Sequence, residues 1–290
     1  MNFIKRNKFL LIILIIVLFI GIHDFCNVYK SEQKNLKMYN ACLKDDSLFY
    51  CNSYDDSYKK YKGSDTPLIM INTLSNEYTL YLPYLFPLLI MVAVILENYK
   101  DFKYKMLTQI LQRENFMKYK KKLLIRSYKY IIIYPIFITL IFILSYLLSG
   151  HFYYRGLSDY FTYDISYLQH FKIFFTIMIM NGIFHSIIWA NFSLISLRKN
   201  MNKFISVIYA IFIFSAFEVF NEIVIKNIIC EKVLKVNGGA FNLFDIFLYE
   251  DHANMYAIIL VSLVYTLISC LIVHLIFKNK ENLIIDNERI

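Results

Sequence analysis

Six charge-poor apolar stretches dominate this chain and leave it few ways to fold: Phe9 to Ile22, Tyr78 to Leu96, Tyr130 to Leu148, Ile173 to Leu197, Phe204 to Ile225 and Met255 to Phe277. Crossing about 30 Å of hydrocarbon at 1.5 Å per residue takes roughly 20 apolar residues, and most of these stretches reach that length. The composition agrees, with 58% apolar and 18% charged residues and a mean hydropathy of +0.46. Soluble domains carry about 25% charged residues. Only 7 Gly and 4 Pro occur among 290 residues, so almost the whole chain can be helix. The expectation is an all-α polytopic membrane protein, one transmembrane domain over residues 1–290, with an even number of spans and both termini on one side. The first stretch follows Lys5, Arg6 and Lys8 and has no small-x-small cleavage site before His23, Asp24 and Phe25, nor a lipobox before Cys26. It reads as an uncleaved helix whose basic residues snorkel to the surface.

Lys and Arg set the orientation. The segment from Glu97 to Lys129 holds ten of them against Glu97, Asp101 and Glu114, and the turn after the fourth stretch adds Arg198, Lys199 and Lys203. These are cytoplasmic signatures, which places both termini inside and the segments 23–77, 149–172 and 226–254 outside the cell membrane. The net charge of +9 is then topological, and no nucleic-acid partner is expected, because the basic residues border apolar spans rather than a base-stacking groove.

On this topology Cys26, Cys42, Cys51 and Cys230 are external and Cys270 lies in the sixth span. Cys42 and Cys51 flank a short polar stretch, so a bridge between them closes a small loop and contributes about 2 to 3 kcal/mol. Cys26 with Cys230 is the second pairing, and four free thiols are the alternative. No Cys/His cluster has zinc spacing, so no metal is expected. The 23–77 segment, rich in Tyr, Asn, Asp, Lys and Ser with almost no Gly, reads as a helical extracellular cap in which Val28 to Leu43 has the pattern of an amphipathic helix.

No G-x-x-x-x-G-K-[ST] loop, no H-E-x-x-H and no G-x-S-x-G elbow occurs, so the chain is not expected to hydrolyse ATP or to be an enzyme. Two polar groups lie within the apolar stretches, where a charge costs roughly 2.5 to 3.5 kcal/mol. Asn181, His185 and Trp189 share one helical face at i, i+4, i+8, as do Glu218, Glu222 and Lys226. Asn181, His185, Trp189, Glu218 and Glu222 could line a substrate path. Equally, Glu222 could pair with Lys226 while Glu218 stays protonated near the interface.

The segment ENYKDFKYKMLTQILQRENFMKYKKKLLIRS, beginning at Glu97, opens on an acidic residue at the membrane exit and continues as an amphipathic stretch with Phe102, Met106, Ile110 and Leu111 on one stripe. It resembles the permease subunits of ABC exporters of the type-2 class. In that family an acidic residue ending the second helix opens a coupling helix with a pattern like E-Y-x-x-G-T-x-x-x-L-x-x-P-x-x-R. The matching positions here are Glu97, Tyr99, Leu107, Ile110, Leu111, Arg113 and Lys121 or Lys122, while residues around Phe102 and Lys103 replace the Gly-Thr and the Pro is missing. The resemblance implies ATPase-coupling roles for Glu97, Tyr99, Leu107, Ile110, Leu111 and Arg113. It also implies separate ATPase subunits carrying ATP and Mg, a second permease of the same or a related chain, and no cofactor in this chain. The stretch Cys230 to Asp251, with Gly238 and Gly239 between two apolar pieces (Cys230 to Val236, Phe241 to Tyr249), looks like the family's re-entrant external helices. Export of a hydrophobic or amphipathic substrate (peptide, drug or lipid) follows. The competing reading is a membrane-embedded sensor or enzyme with an external ligand-binding cap and no ATPase.

Overall fold

The computed structural model describes residues 7–42, 44, 64–103, 106–150, 152, 170–199, 202–242, 247, 254–279 and 284. Among these residues the structure is all helical with no strand. Six helices are long and apolar enough to cross a membrane: Lys8–Cys42, Thr79–Phe102, Phe116–Ser149, Phe171–Arg198, Lys203–Leu234 and Met255–Ile276. This is a multi-pass membrane protein.

The spans fall where the apolar stretches lie, but three helices run well past them. The first, α1 (Lys8–Cys42), has 35 residues and a length of about 53 Å, far more than a bilayer core. The helix expected from Val28 is present through Cys42, as the continuation of α1. Neither Gly nor Pro falls between Gly21 and Cys42, so nothing interrupts the hydrogen-bond ladder where the chain leaves the apolar zone. Helix α2 (Thr66–Leu74) is capped by Asp65, whose side chain accepts from the Leu68 amide, and nearly all its residues are buried. A 3-10 turn, Thr79–Tyr81, then leads into α3 (Leu82–Phe102).

After α3 come α4 (Met106–Arg113) and α5 (Phe116–Tyr128), the latter capped by Asn115. A 3-10 stretch, Lys129–Ile132, joins α5 to α6 (Ile133–Ser149). Pro135 explains that stretch, since its ring cannot accept a regular turn beneath it and it offers no amide to the ladder. Helix α7 (Phe171–Lys199) follows, then α8 (Lys203–Phe220), which passes into a π-helix, Asn221–Leu234. Cys230 to Leu234, expected to open a separate re-entrant helix, instead ends the fifth span. A left-handed Lys235 at φ 54° stops it. The chain then doubles back until Gly238 lies against Lys226, where an added Cβ would meet the Lys226 Cα at 2.8 Å. A 3-10 turn, Gly239–Phe241, precedes the last helix, α9 (Met255–Ile276).

Backbone contacts divide the chain into two compact units. One comprises Met1–Leu14, Pro83–Pro135 and Ile177–Ile290. Its core centres on Tyr134, whose ring stacks on Phe247 at 5.9 Å and tilts against Phe86 at 5.6 Å. Gly182 on α7 gives that ring its room, because any Cβ there would collide with it.

The other unit comprises Ile15–Leu82 and Ile136–Thr176. Gly21 lets α1 approach α6, where a Cβ would lie 2.5 Å from the Phe137 ring. Phe142, Phe152, Phe171 and Phe175 form an aromatic cluster with centroids 4.9 to 6.2 Å apart. Asp24 is fully buried in this unit. Its Oδ2 accepts from the amides of Tyr78 (2.9 Å) and Thr79 (2.7 Å) and from the Thr79 hydroxyl (3.1 Å), while Asn76 donates to its carbonyl at 3.3 Å. One carboxylate from α1 thus supplies the cap for the turn that starts the second span. Further along α1, Glu32 accepts from the Ser64 hydroxyl at 2.8 Å.

Candidate functional site

At the basic end of the first unit, α3, α4 and α5 enclose a cleft of about 710 Å³ lined by Glu97, Asp101, Glu114, Lys122, Arg126 and Lys129, among others. Glu97 and Asp101 are four residues apart on α3, and Lys122, Arg126 and Lys129 recur at helical spacing on the facing segment, so each set forms one stripe. Lys129 donates to Glu97 at 2.6 Å, and the Tyr130 hydroxyl donates to the same carboxylate at 2.6 Å. Lys129 also reaches the Asn7 side chain at 3.4 Å. Arg126 pairs with Asp101, and Lys122 with Glu114 at 2.5 Å. The Lys122 hydrogen bond holds the half-buried Glu114 carboxyl below its ordinary pKa. All three acids of the basic segment are thus matched to three of its ten cations, and the end of α3 is clamped to the entry of the third span.

Helix α4 packs beside this clamp, and its burial pattern divides the stripe expected from Phe102, Met106, Ile110 and Leu111. Leu107 and Leu111 are 1% and 2% exposed, buried within this chain together with Phe102, whereas Met106 is 43% exposed and Gln109, Gln112 and Arg113 face outward. Ile110 is half-buried and lines the cleft. The stripe rotates because Phe102, whose ring meets Phe277 edge-on at 6.2 Å, ends α3, and α4 starts a new helix after residues 103–105. Helical spacing cannot be carried across that break. Tyr99 is half-buried on α3.

The polar residues of the spans separate in a similar way. Asn181, His185 and Trp189 share a buried face of α7 as expected. The Ser262 hydroxyl donates to the Asn181 carbonyl oxygen of the side chain at 2.5 Å, and His185 Nδ1 donates to the Asn181 backbone carbonyl at 2.8 Å. His185 Nε2 and Trp189 Nε1 are buried with no hydrogen-bond partner among the described residues. Glu218 is buried at 7% exposure. Glu222, expected on the same face, is 42% exposed at its side chain and pairs with Lys226 at 3.1 Å. The winding changes to i→i+5 at Asn221, and Glu222 lies on the π-helical turn that carries Lys226. Asn221, not Glu222, is the buried neighbour of Glu218, and its side chain accepts from the Tyr265 hydroxyl at 2.9 Å.

The sequence reading missed a ladder that ties α7 to its neighbours. Tyr128 donates to Asn191 at 2.8 Å, Asn191 donates to Ser269 at 2.9 Å, Thr266 donates to the Phe184 carbonyl at 3.2 Å, and Ser196 bonds the Ser206 carbonyl at 2.5 Å. The signal was present as small hydroxyls at helical spacing: Ser186, Ser193 and Ser196 on α7, and Ser262, Thr266 and Ser269 on α9. Cys42 is disulfide-bonded, and Cys51, its expected partner, lies outside the described residues. Cys26 and Cys230 are free thiols, so the second pairing is not made. Among the described residues no group of His, Cys, Asp and Glu could hold a metal ion.

Comparison with protein-family models, with curated proteins and with solved structures gives no match.

Proposed function

We propose that this chain is the membrane-spanning subunit of an ATP-driven exporter of the type-2 ABC class, located in the cell membrane with both termini cytoplasmic. The observation that carries the reading is α4, a short amphipathic helix at the basic end of the bundle. It buries Leu107 and Leu111 in its own chain and presents Met106, Gln109, Gln112 and Arg113 to a partner. Such a helix, set beside the ion-paired junction of the second and third spans, can pass a push from an ATPase subunit into the bundle. Separate subunits would bind the ATP and Mg, and a second permease chain would complete the transport unit. The doubled-back chain at Gly238 and the burial of Phe247 against Phe86 and Tyr134 support a re-entrant segment between the last two spans. The substrate on this reading is hydrophobic or amphipathic: a peptide, drug or lipid.

The test is purification of the native complex with mass spectrometry of its subunits. Met106→Asp with Arg113→Glu should leave the chain folded, since exposed substitutions cost within about 0.5 kcal/mol, yet weaken ATPase retention by about thirtyfold or more. Leu107→Asp should instead damage the chain itself, because it buries a charge. ATPase retention unchanged in the exposed-face variant removes α4 as the contact. A native complex with no ATPase at all favours the sensor reading, in which the external cap takes a ligand.

Glu218 and Glu222 supply a second test on the assembled complex. Glu218→Gln should lower substrate-stimulated ATPase activity by at least about tenfold at unchanged complex yield, and Glu222→Gln should leave it near normal. Full activity in both variants would remove Glu218 from the path.

A further inference from the structure

The helix α5 is basic on two faces, and the acids of the segment serve only one of them. Lys122, Arg126 and Lys129 point to Glu114, Asp101 and Glu97. A second stripe, Lys120, Lys121, Leu124, Ile125 and Tyr128, borders a groove of about 570 Å³ whose far wall includes His274 of α9. That volume lies within the range of ligand sites, roughly 300–1,000 Å³. No acidic side chain lines the groove among the described residues, and the one further cation on it, Lys129, is already paired with Glu97. Lys120 donates to His274 Nδ1 at 3.4 Å. An ammonium can only donate, so this contact fixes Nδ1 as the acceptor and leaves the other ring nitrogen to carry the proton.

The depth of the groove decides what it suits. His274 stands in the last turn of α9, at the edge of the sixth span, and Lys120 meets it there. That is the level of the lipid headgroups. From Lys120 the stripe runs through Leu124 and Ile125 toward the apolar part of the third span, and Ile125 is 59% exposed. Cations at headgroup level above an apolar channel that continues into the hydrocarbon complement a molecule with an anionic head and an acyl tail. A soluble anion would use the rim and leave the apolar wall wet.

We propose that this groove is a binding site for an anionic phospholipid of the surrounding membrane, with Lys120 and Lys121 on its phosphate, the protonated nitrogen of His274 available as a further donor, and an acyl chain along Leu124, Ile125 and Tyr128. The proposal is independent of the transport reading, since it concerns the lipid that seats the bundle and not its cargo.

The experiment is native mass spectrometry of the full chain purified in detergent micelles containing equal phosphatidylglycerol and phosphatidylcholine. Wild-type chain should retain phosphatidylglycerol in preference. Lys120→Gln with Lys121→Gln should lose that preference by about thirtyfold, near fivefold per lysine at an anionic lipid surface. Lys120→Arg with Lys121→Arg should keep it, and Lys103→Gln with Lys118→Gln, an equal charge change on exposed residues outside the groove, should keep it too. Equal retention in the Gln pair and wild type overturns the site, and so does an equal loss in the outside pair, which would reduce the effect to diffuse charge. If the Gln pair does not fold, the wild-type chain decides. A thermal shift with phosphatidylglycerol but with neither phosphatidylcholine nor inorganic phosphate upholds the proposal. A shift reproduced by inorganic phosphate alone, or the same shift with both lipids, overturns it.

Discussion

Gly182→Ala should destabilise this protein by about 3 kcal/mol or more, although it adds one methyl group. The Cβ of residue 182 would occupy the space of the Tyr134 ring. That ring cannot swing away, because it is fully buried with Phe86 and Phe247 against it. Closely packed interiors transmit such an overlap rather than absorb it. The measurement is thermal unfolding in detergent together with the monodisperse yield from size exclusion. Tyr134→Leu, which removes the obstructing ring, should erase the added cost, so that the double variant is no less stable than Tyr134→Leu alone. Wild-type stability in Gly182→Ala would show that the contact between α7 and the third span is looser than described.

Asp24→Ala should cost about 3 to 5 kcal/mol, the range for breaking a buried, hydrogen-bonded charged group. The carboxylate holds two backbone amides at the start of the second span, and alanine would leave the buried Thr79 amide and the part-buried Tyr78 amide without that acceptor. Asp24→Asn keeps one acceptor oxygen for the amides and should recover about half of the loss, as a weaker cap does. Hydrogen exchange at Tyr78 and Thr79 checks the mechanism, since their amides should lose protection in Asp24→Ala before the rest of the bundle does. Protection equal to wild type would mean that the turn is held by its own local bonds, such as the Thr79 hydroxyl on the Thr73 carbonyl.

Both effects depend on residues whose importance the amino-acid sequence does not display. Gly182 sits beside Asn181 in a predominantly apolar stretch, where a glycine reads as a modest helix weakness. What makes it decisive is an aromatic ring from residue 134, brought opposite by packing. Asp24 reads as the first charge after an apolar run, and the two backbone amides that it caps lie more than fifty residues further on.

What the sequence by itself determined is the six spans, the all-helical class and the crowding of cations between the second and third spans. Apolar length, scarcity of Gly and Pro, and the distribution of Lys and Arg are local properties, and they survive whatever the helices later touch. The buried face of Asn181, His185 and Trp189 was equally legible, because α7 is a single regular helix and a fixed 3.6-residue period carries a face along it. Tertiary structure decided the rest wherever that period breaks. Beyond Asn221 the winding changes, and Glu222 is drawn to Lys226 while Glu218 stays buried. After Phe102 one helix ends and another begins, and Leu107 and Leu111 are buried in this chain while Met106 is exposed. Which acids of the basic segment meet which cations, and which lysines are left facing the groove by His274, followed only from α5 meeting α3 on one side and α9 on the other.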